Sequence, residues 1–189
     1  MVTVHTLHIP HRTDREENMI KQAKEQGFKI EWHIGEYNKK NPKKAINLGH
    51  KAIITKAKEA GMNSVLVAED DCSFFDKGAL DYFLSKVPEQ YDIFCGLIYV
   101  GNVDENNRII STFSGGMTFY SCHSKFYDKF LALPDDVHID REIGNHHKDF
   151  ELYVCNPYVC QQTGGYSDNL RKNMTYQVYL EGKSLFKAD

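Results

Sequence analysis

Residues Val65 to Asp71 read Val-Leu-Val-Ala-Glu-Asp-Asp, an apolar run that stops in three consecutive carboxylates. A short Val-rich run entered through Gly61-Met62-Asn63 has the character of a strand buried on both faces. Such strands belong mostly to parallel sheets covered by helices. The acidic end needs its own explanation. Adjacent like charges repel and are costly to desolvate, so a divalent cation that favours oxygen ligands, Mg²⁺ or Mn²⁺, is a natural partner. Ligands of open α/β sheets also bind at the carboxyl ends of strands. The plainer alternative is a solvated strand end in which Asp71 caps a following helix. On an extended backbone Glu69 and Asp71 point to one side and Asp70 to the other. A metal then meets Glu69 and Asp71, or Asp71 alone if the turn begins early.

The segments before this strand repeat one theme. Val2 to Ile9 reads as a first strand stopped by Pro10, with a helix from Thr13, whose Thr13 and Glu16 have capping-box spacing, to Gly27. Phe28 to Ile34 alternates as a second strand. Pro42 to Ala60 carries a helical apolar stripe, with Pro in the first turn and Gly61 just past the end. The order β-α-β-α-β predicts a mainly parallel sheet with helices on its faces. Further on, a helix is expected at 76–87 and a short buried strand at 91–96. Two strands, 108–113 and 116–121, are expected to be joined by a glycine-containing turn. A helix at 123–131 and short strands at 150–155 and 158–161 complete the reading. The 189 residues suit one domain, and no linker divides them.

Charge and cysteine usage narrow the function classes. With 23 basic and 26 acidic residues the net charge is −3, which gives no general attraction to nucleic acid or anionic membrane. Any phosphate site must be local. The five cysteines are odd in number and form no CxxC pair, so they read as reduced thiols. The first residues lack a signal-peptide pattern, and no segment has the ~18 apolar residues of a membrane span. A cytoplasmic location is the expectation.

Other groups could carry chemistry. His11-Arg12-Thr13-Asp14-Arg15 places two arginines at a helix start, where exposed amides and positive charge suit a phosphate, although a salt-bridged first turn fits the spacing equally. No GxGxxG or Walker pattern accompanies it. Asp140, between apolar neighbours at the head of a helix, is either a cap or a general base. Zinc ligation by His146, His147, Cys155 and Cys160 is disfavoured by a Cys-x4-Cys spacing inside apolar strand-like segments. The polar loop Gln161 to Asp168 either covers a ligand or forms a surface turn.

In this order the segments resemble glycosyltransferase family 25, the lipooligosaccharide galactosyltransferase-like enzymes. The likeness rests on Arg12-Thr13-Asp14-Arg15 after a first strand and on Glu69-Asp70-Asp71 at the end of a later one. Tyr91-Asp92-Ile93, Gly115 to Leu131, Ile139-Asp140 and the closing Asn156-Pro157, Gln161 and Ser167-Asp168 add to it. Asn47-Leu48-Gly49-His50 matches the family's Gly-x-x-x-Ser-His helix only in part, since the Ser is missing and Gly directly precedes His. The likeness spans about residues 1 to 170.

This resemblance implies an α/β fold of the GT-A type in a single domain. Residues 1–100 would form a nucleotide-sugar-binding half and 101–189 an acceptor-side half. It implies a metal-dependent hexosyltransferase that uses a nucleotide diphosphate sugar, a UDP-sugar foremost, and a hydroxyl of a glycan or other acceptor, with inversion. Arg12, Arg15, Glu69 and Asp70 would contact the nucleotide, Asp71 and Glu69 would hold Mn²⁺ or Mg²⁺, and Asp140 would be the base. Two other classes stay open: a metal-dependent phosphoryl-transfer enzyme or nuclease, and a noncatalytic nucleotide-sugar or glycan-binding module.

Overall fold

The computed structural model describes residues 1–188. The chain opens with strand β1 (Thr3–His8), helix α1 (Thr13–Gln26), strand β2 (Lys29–Ile34), helix α2 (Pro42–Glu59) and strand β3 (Ser64–Glu69). This is the β-α-β-α-β order that the periodicity predicts. Gly27 ends α1 in the left-handed region, at φ 73°, and returns its N–H to the Ala23 carbonyl. Asn41 caps α2, its side chain accepting from the Lys44 N–H, and Pro42 occupies the first turn. The capping box expected at Thr13 does not form. Arg12 stands at the N-cap with no side-chain cap, because Thr13 is already helical.

After β3 come β4 (Cys72–Phe74), α3 (Ala79–Ser85), β5 (Ile93–Cys95), β6 (Phe119–His123), α4 (Tyr127–Ala132), α5 (Ile139–Asn145), β7 (Leu152–Val154), β8 (Cys160–Gln162), β9 (Gly165–Ser167) and β10 (Lys172–Met174). Six strands form the central sheet in the order β2-β1-β3-β6-β5-β7. β6 runs antiparallel to β3 and β5, while β1–β2, β1–β3 and β5–β7 are parallel pairs. The result is an α/β fold around a mostly parallel sheet, with two small ladders, β4–β8 and β9–β10, outside it. Strands from residues 1–100 and from 101–188 share the central sheet.

Covering both faces explains why polar residues of β1 are buried: His5, Thr6 and His8 are as inaccessible as Val4 and Leu7. β3 behaves as expected. Val65, Val67 and Ala68 are buried and Leu66 is half-buried. A cluster of rings fills the core, with Phe83 centred 4.6 Å from Phe94 and 4.7 Å from Phe119.

The middle of the chain departs from the expected hairpin. Residues 108–113 make only isolated bridges, at Arg108 with Tyr153 and at Ile109 with Val103, and Gly116–Thr118 is a single 3-10 turn. The strand that follows pairs with β3 and β5 instead. Close packing dictates this. Gly115 has φ 85°, and a Cβ there would lie 2.4 Å from the Tyr99 ring. All five cysteines are free and buried, in agreement with the reduced-thiol reading. Among the described residues no helix is long and apolar enough to cross a membrane.

Candidate active site

β3 ends at Glu69 because its register partner Leu7 is near the end of β1, and the chain then turns: Asp70 donates its N–H to the Leu7 carbonyl at 3.0 Å. The three carboxylates therefore diverge. Asp70 swings toward β1, where Oδ2 accepts from His8 Nδ1 (2.9 Å) and the Ile9 N–H (3.2 Å) and Oδ1 accepts from Arg15 Nη1 (2.9 Å). Asp71 does not cap a helix, since β4 follows it directly and α3 starts only at Ala79. Its Oδ2 lies 3.2 Å from Arg15 Nη1, while its Oδ1 is buried with no hydrogen-bond partner. Burial pushes the Asp71 carboxyl up to about 7; Arg15 opposes this, and Glu69 and Asp70 add to it.

Glu69 is partly exposed and is held from two sides. Oε1 is 3.4 Å from His50 Nε2, and Oε2 accepts from Gln162 Nε2 at 3.3 Å. A carboxylate only accepts, so His50 carries its proton on Nε2 and takes the Tyr120 O–H on Nδ1, 3.0 Å away. Gln162 arrives on the β4–β8 ladder opposite Cys72. Its N–H donates to the Tyr99 hydroxyl at 2.7 Å, and the Tyr99 ring stacks on Tyr176 with centroids 5.1 Å apart.

Glu69, Asp70, Asp71, Gln162, Tyr99 and Tyr176 line one cavity of about 380 Å³ at the carboxyl ends of β1 and β3, together with Arg15 and Asp140. α5 carries Asp140 in its first turn. Oδ2 accepts from the Gly115 N–H at 2.8 Å and Oδ1 from the Arg141 N–H at 2.8 Å. Burial raises the Asp140 carboxyl above its ordinary range, and nearby Glu69 adds to the rise. A half-buried carboxyl held by two amides and lining a cavity has the makings of a proton acceptor.

Arg12, the other predicted nucleotide contact, stands outside the cavity lining. Its guanidinium grips Asp14 through two nitrogens, at 2.9 and 2.7 Å, and reaches Asp168 Oδ2 (2.7 Å) and the Tyr166 carbonyl (2.9 Å). It thus fixes the loop that carries Asp168 over the cavity. The loop Gln161 to Asp168, left open between cover and surface turn, is part of the cavity wall through Gln162, Ser167 and Asp168.

Sequence reasoning noted Asn47-Leu48-Gly49-His50 as a partial motif but assigned these residues no role in the site. Asn47 is buried and donates from Nδ2 to the carbonyls of Asp135 (2.8 Å) and Val137 (2.9 Å), which tethers the segment leading into α5. His50 supports Glu69. Gly49 lets α2 approach β1, since a Cβ there would lie 2.5 Å from Leu7 Cδ1. The signal was present: Asn47 and His50 are polar residues at i, i+3 in the apolar stripe of α2. His146, Cys155 and Cys160 do not form a metal cluster; the cysteines are buried and His146 pairs with Glu142 at 3.5 Å.

Two carboxylates suit Mg²⁺ or Mn²⁺, which complete their shells with water and phosphate oxygens. Glu69 and Asp71 fit that demand, because Asp71 offers a buried oxygen without a partner beside the partly exposed Glu69.

No family model matches the chain, and no curated protein matches it. Solved structures do. A glycosyltransferase involved in the glycosylation of the major capsid of PBCV-1 aligns with 95% of this chain and 98% of its own, at 12% identity and a TM-score of 0.57. A197 from STIV aligns over 92% of this chain and 93% of its own, at 13% identity and a TM-score of 0.51. At such identity the likeness is one of fold, and the chain shares the α/β architecture of a glycosyltransferase along nearly its whole length.

Proposed function

We propose that the chain transfers a hexosyl group from a nucleoside diphosphate sugar, a UDP-sugar foremost, to a hydroxyl of a glycan or other acceptor, with inversion. One observation carries this reading. A single cavity at the carboxyl ends of parallel strands holds a carboxylate with an unpartnered buried oxygen, a guanidinium beside it and the half-buried carboxyl of Asp140. The shared architecture with a glycosyltransferase and the order of segments resembling family 25 support it further.

Glu69 and Asp71 would hold Mn²⁺ or Mg²⁺. When bound, the ion supplies Lewis-acid stabilisation for charge on a leaving diphosphate. Arg15, paired with Asp70 and Asp71, would add positive charge for the same phosphates. Asp140 takes the acceptor hydroxyl proton while that oxygen attacks the anomeric carbon, and the bond from this carbon to the diphosphate oxygen breaks on the opposite face. The stacked Tyr99 and Tyr176 present rings to the cavity, a surface suited to a base or a sugar face.

The test is a panel of nucleotide sugars, each with and without Mn²⁺, read by thermal shift and by release of nucleoside diphosphate. Native-state ligands raise apparent stability by mass action. A metal-dependent shift with one donor class, together with slow release of intact nucleoside diphosphate, is the expected result, and D71N should lose both. Cleavage between the phosphates would turn the assignment to phosphoryl transfer. Metal-dependent donor binding with neither transfer nor donor hydrolysis would leave a binding module.

A further inference from the structure

Midway along β1, away from the cavity, His5 faces β2. The parallel register sets His5 opposite Glu31 and Leu7 opposite His33. Glu31 and His33 are two residues apart on one strand, so they share a face of the sheet, and His5 projects from the same face. His5 Nδ1 lies 2.9 Å from His33 Nε2 and 3.8 Å from Glu31 Oε2, and His33 Nε2 lies 3.7 Å from Glu31 Oε1. Among the described residues this is the one place where three such side chains bring ligand atoms within 4.8 Å of one another.

We propose that His5, His33 and Glu31 form a second divalent-cation site, selective for an imidazole-seeking ion of the Zn²⁺ class, which ties the edge strand β2 to β1.

Hydrogen bonding joins the two rings but leaves Glu31 out. Two neutral rings share one proton across their 2.9 Å contact, and the carboxylate stands beyond hydrogen-bond distance of both nitrogens. A metal satisfies all three at once. With bonds of about 2.0–2.1 Å in a tetrahedral site, ligand atoms sit roughly 3.4 Å apart. The observed separations of 2.9, 3.7 and 3.8 Å bracket that spacing, so side-chain shifts of a few tenths of an ångström close the site.

Both rings are buried and Glu31 is exposed, which gives an ion a dry seat with one open approach. Burial lowers His5 below its ordinary value and His33 to about 4; Lys56 of α2 pushes both the same way, and Glu31 opposes it. Ligation by both rings requires the proton they share to move to the far nitrogen of its own ring. Lys56, the cation facing the rings, is exposed at its own position, and Glu31 adds the negative charge that offsets it.

Ligand chemistry separates this site from the one at Glu69 and Asp71. Two nitrogens and one oxygen favour Zn²⁺, Ni²⁺ or Cu²⁺ over Mg²⁺ and Mn²⁺, whereas an all-oxygen pair does the reverse. Three protein ligands leave a fourth position for water.

Untagged, chelator-stripped full-length protein should be titrated calorimetrically with zinc chloride and followed by thermal shift with Zn²⁺ and, separately, Mg²⁺. One equivalent of Zn²⁺ should bind and raise the melting temperature, and Mg²⁺ should not reproduce that rise. H33Q should lose the zinc response, E31Q should weaken it roughly tenfold or more, and D71N should keep it. Cobalt substitution should give the visible absorption of a four-coordinate nitrogen-oxygen complex. Equal zinc affinity in wild type and E31Q, or a cobalt protein without that absorption, overturns the proposal. Because Glu31 is exposed, E31Q tests the site even if H33Q does not fold.

Discussion

Arg15 reaches Asp71 through a single nitrogen, Nη1, 3.2 Å from Oδ2, and the same nitrogen is 2.9 Å from Asp70 Oδ1. One cation thus serves two buried carboxylates. Removing it should leave Asp71 uncompensated and Asp70 with only His8 and the Ile9 N–H, so R15M should lose on the order of 3 kcal/mol of stability. D71N should do the opposite, raising the stability of the metal-free protein by relieving like-charge repulsion, while abolishing its response to Mn²⁺. Urea denaturation of both variants checks the signs; equal destabilisation by both would break the argument.

As the proposed base, Asp140 should contribute to the pH dependence beside the raised carboxyl of Asp71. The folded-state carboxyl of Asp140 is raised, so the native state holds this proton to higher pH than the unfolded chain does. Its contribution to stability therefore falls as pH rises from the ordinary carboxylate range through the raised value. Turnover should run the other way, climbing with pH as the base form appears. The acidic limb of the rate profile should lie above the usual carboxylate range. D140N should keep donor binding and lose at least a hundredfold in rate, and a variant turning over at near-normal rate removes Asp140 from the chemistry.

Gly144 is the point where α5 presses on the chain before it. A Cβ there would lie 2.7 Å from the Phe113 backbone nitrogen and 2.9 Å from Thr112 Cα, and backbone cannot step aside as a side-chain tip can. G144A should cost about 1–3 kcal/mol and shift Asp140 with its helix. Loss of turnover larger than loss of donor affinity, measured on the folded fraction, is the expected pattern.

Arg12 holds the end of β9, at Tyr166 and Asp168, from outside the cavity. R12Q should raise the KM for donor more than it lowers kcat, and it should expose the β9–β10 hairpin to limited proteolysis. Unchanged cleavage of that hairpin would show that other contacts hold it.

How far the site could be read in advance depended on whether its determinants were local. The β-α-β-α-β half was legible because strand alternation, helix stripes and the Gly27 and Pro42 signals are local, and the apolar run before Glu69 marks the strand end that matters. The divergence of Glu69, Asp70 and Asp71 was only half legible. Strand alternation set Asp70 apart, but the side it took follows from Arg15 and His8, which the chain brings there from β1 and α1. Gln162 was beyond reach, since its place follows from the β4–β8 register. The hairpin expected at 108–121 failed because tertiary packing around Gly115 and Gly116 outweighs strand propensity there.

The contact between Gln162 and Glu69 joins residues 93 positions apart. Loop closure over such a distance is slow compared with local helix and strand formation. A chain emerging from the ribosome can therefore form the first strands and their helices well before this wall of the cavity exists. Until residues 160–162 pair with β4, Glu69 has His50 but not its second support. Competence to bind a ligand should then appear as a late, separate step in folding, after the parallel sheet has already formed around β3.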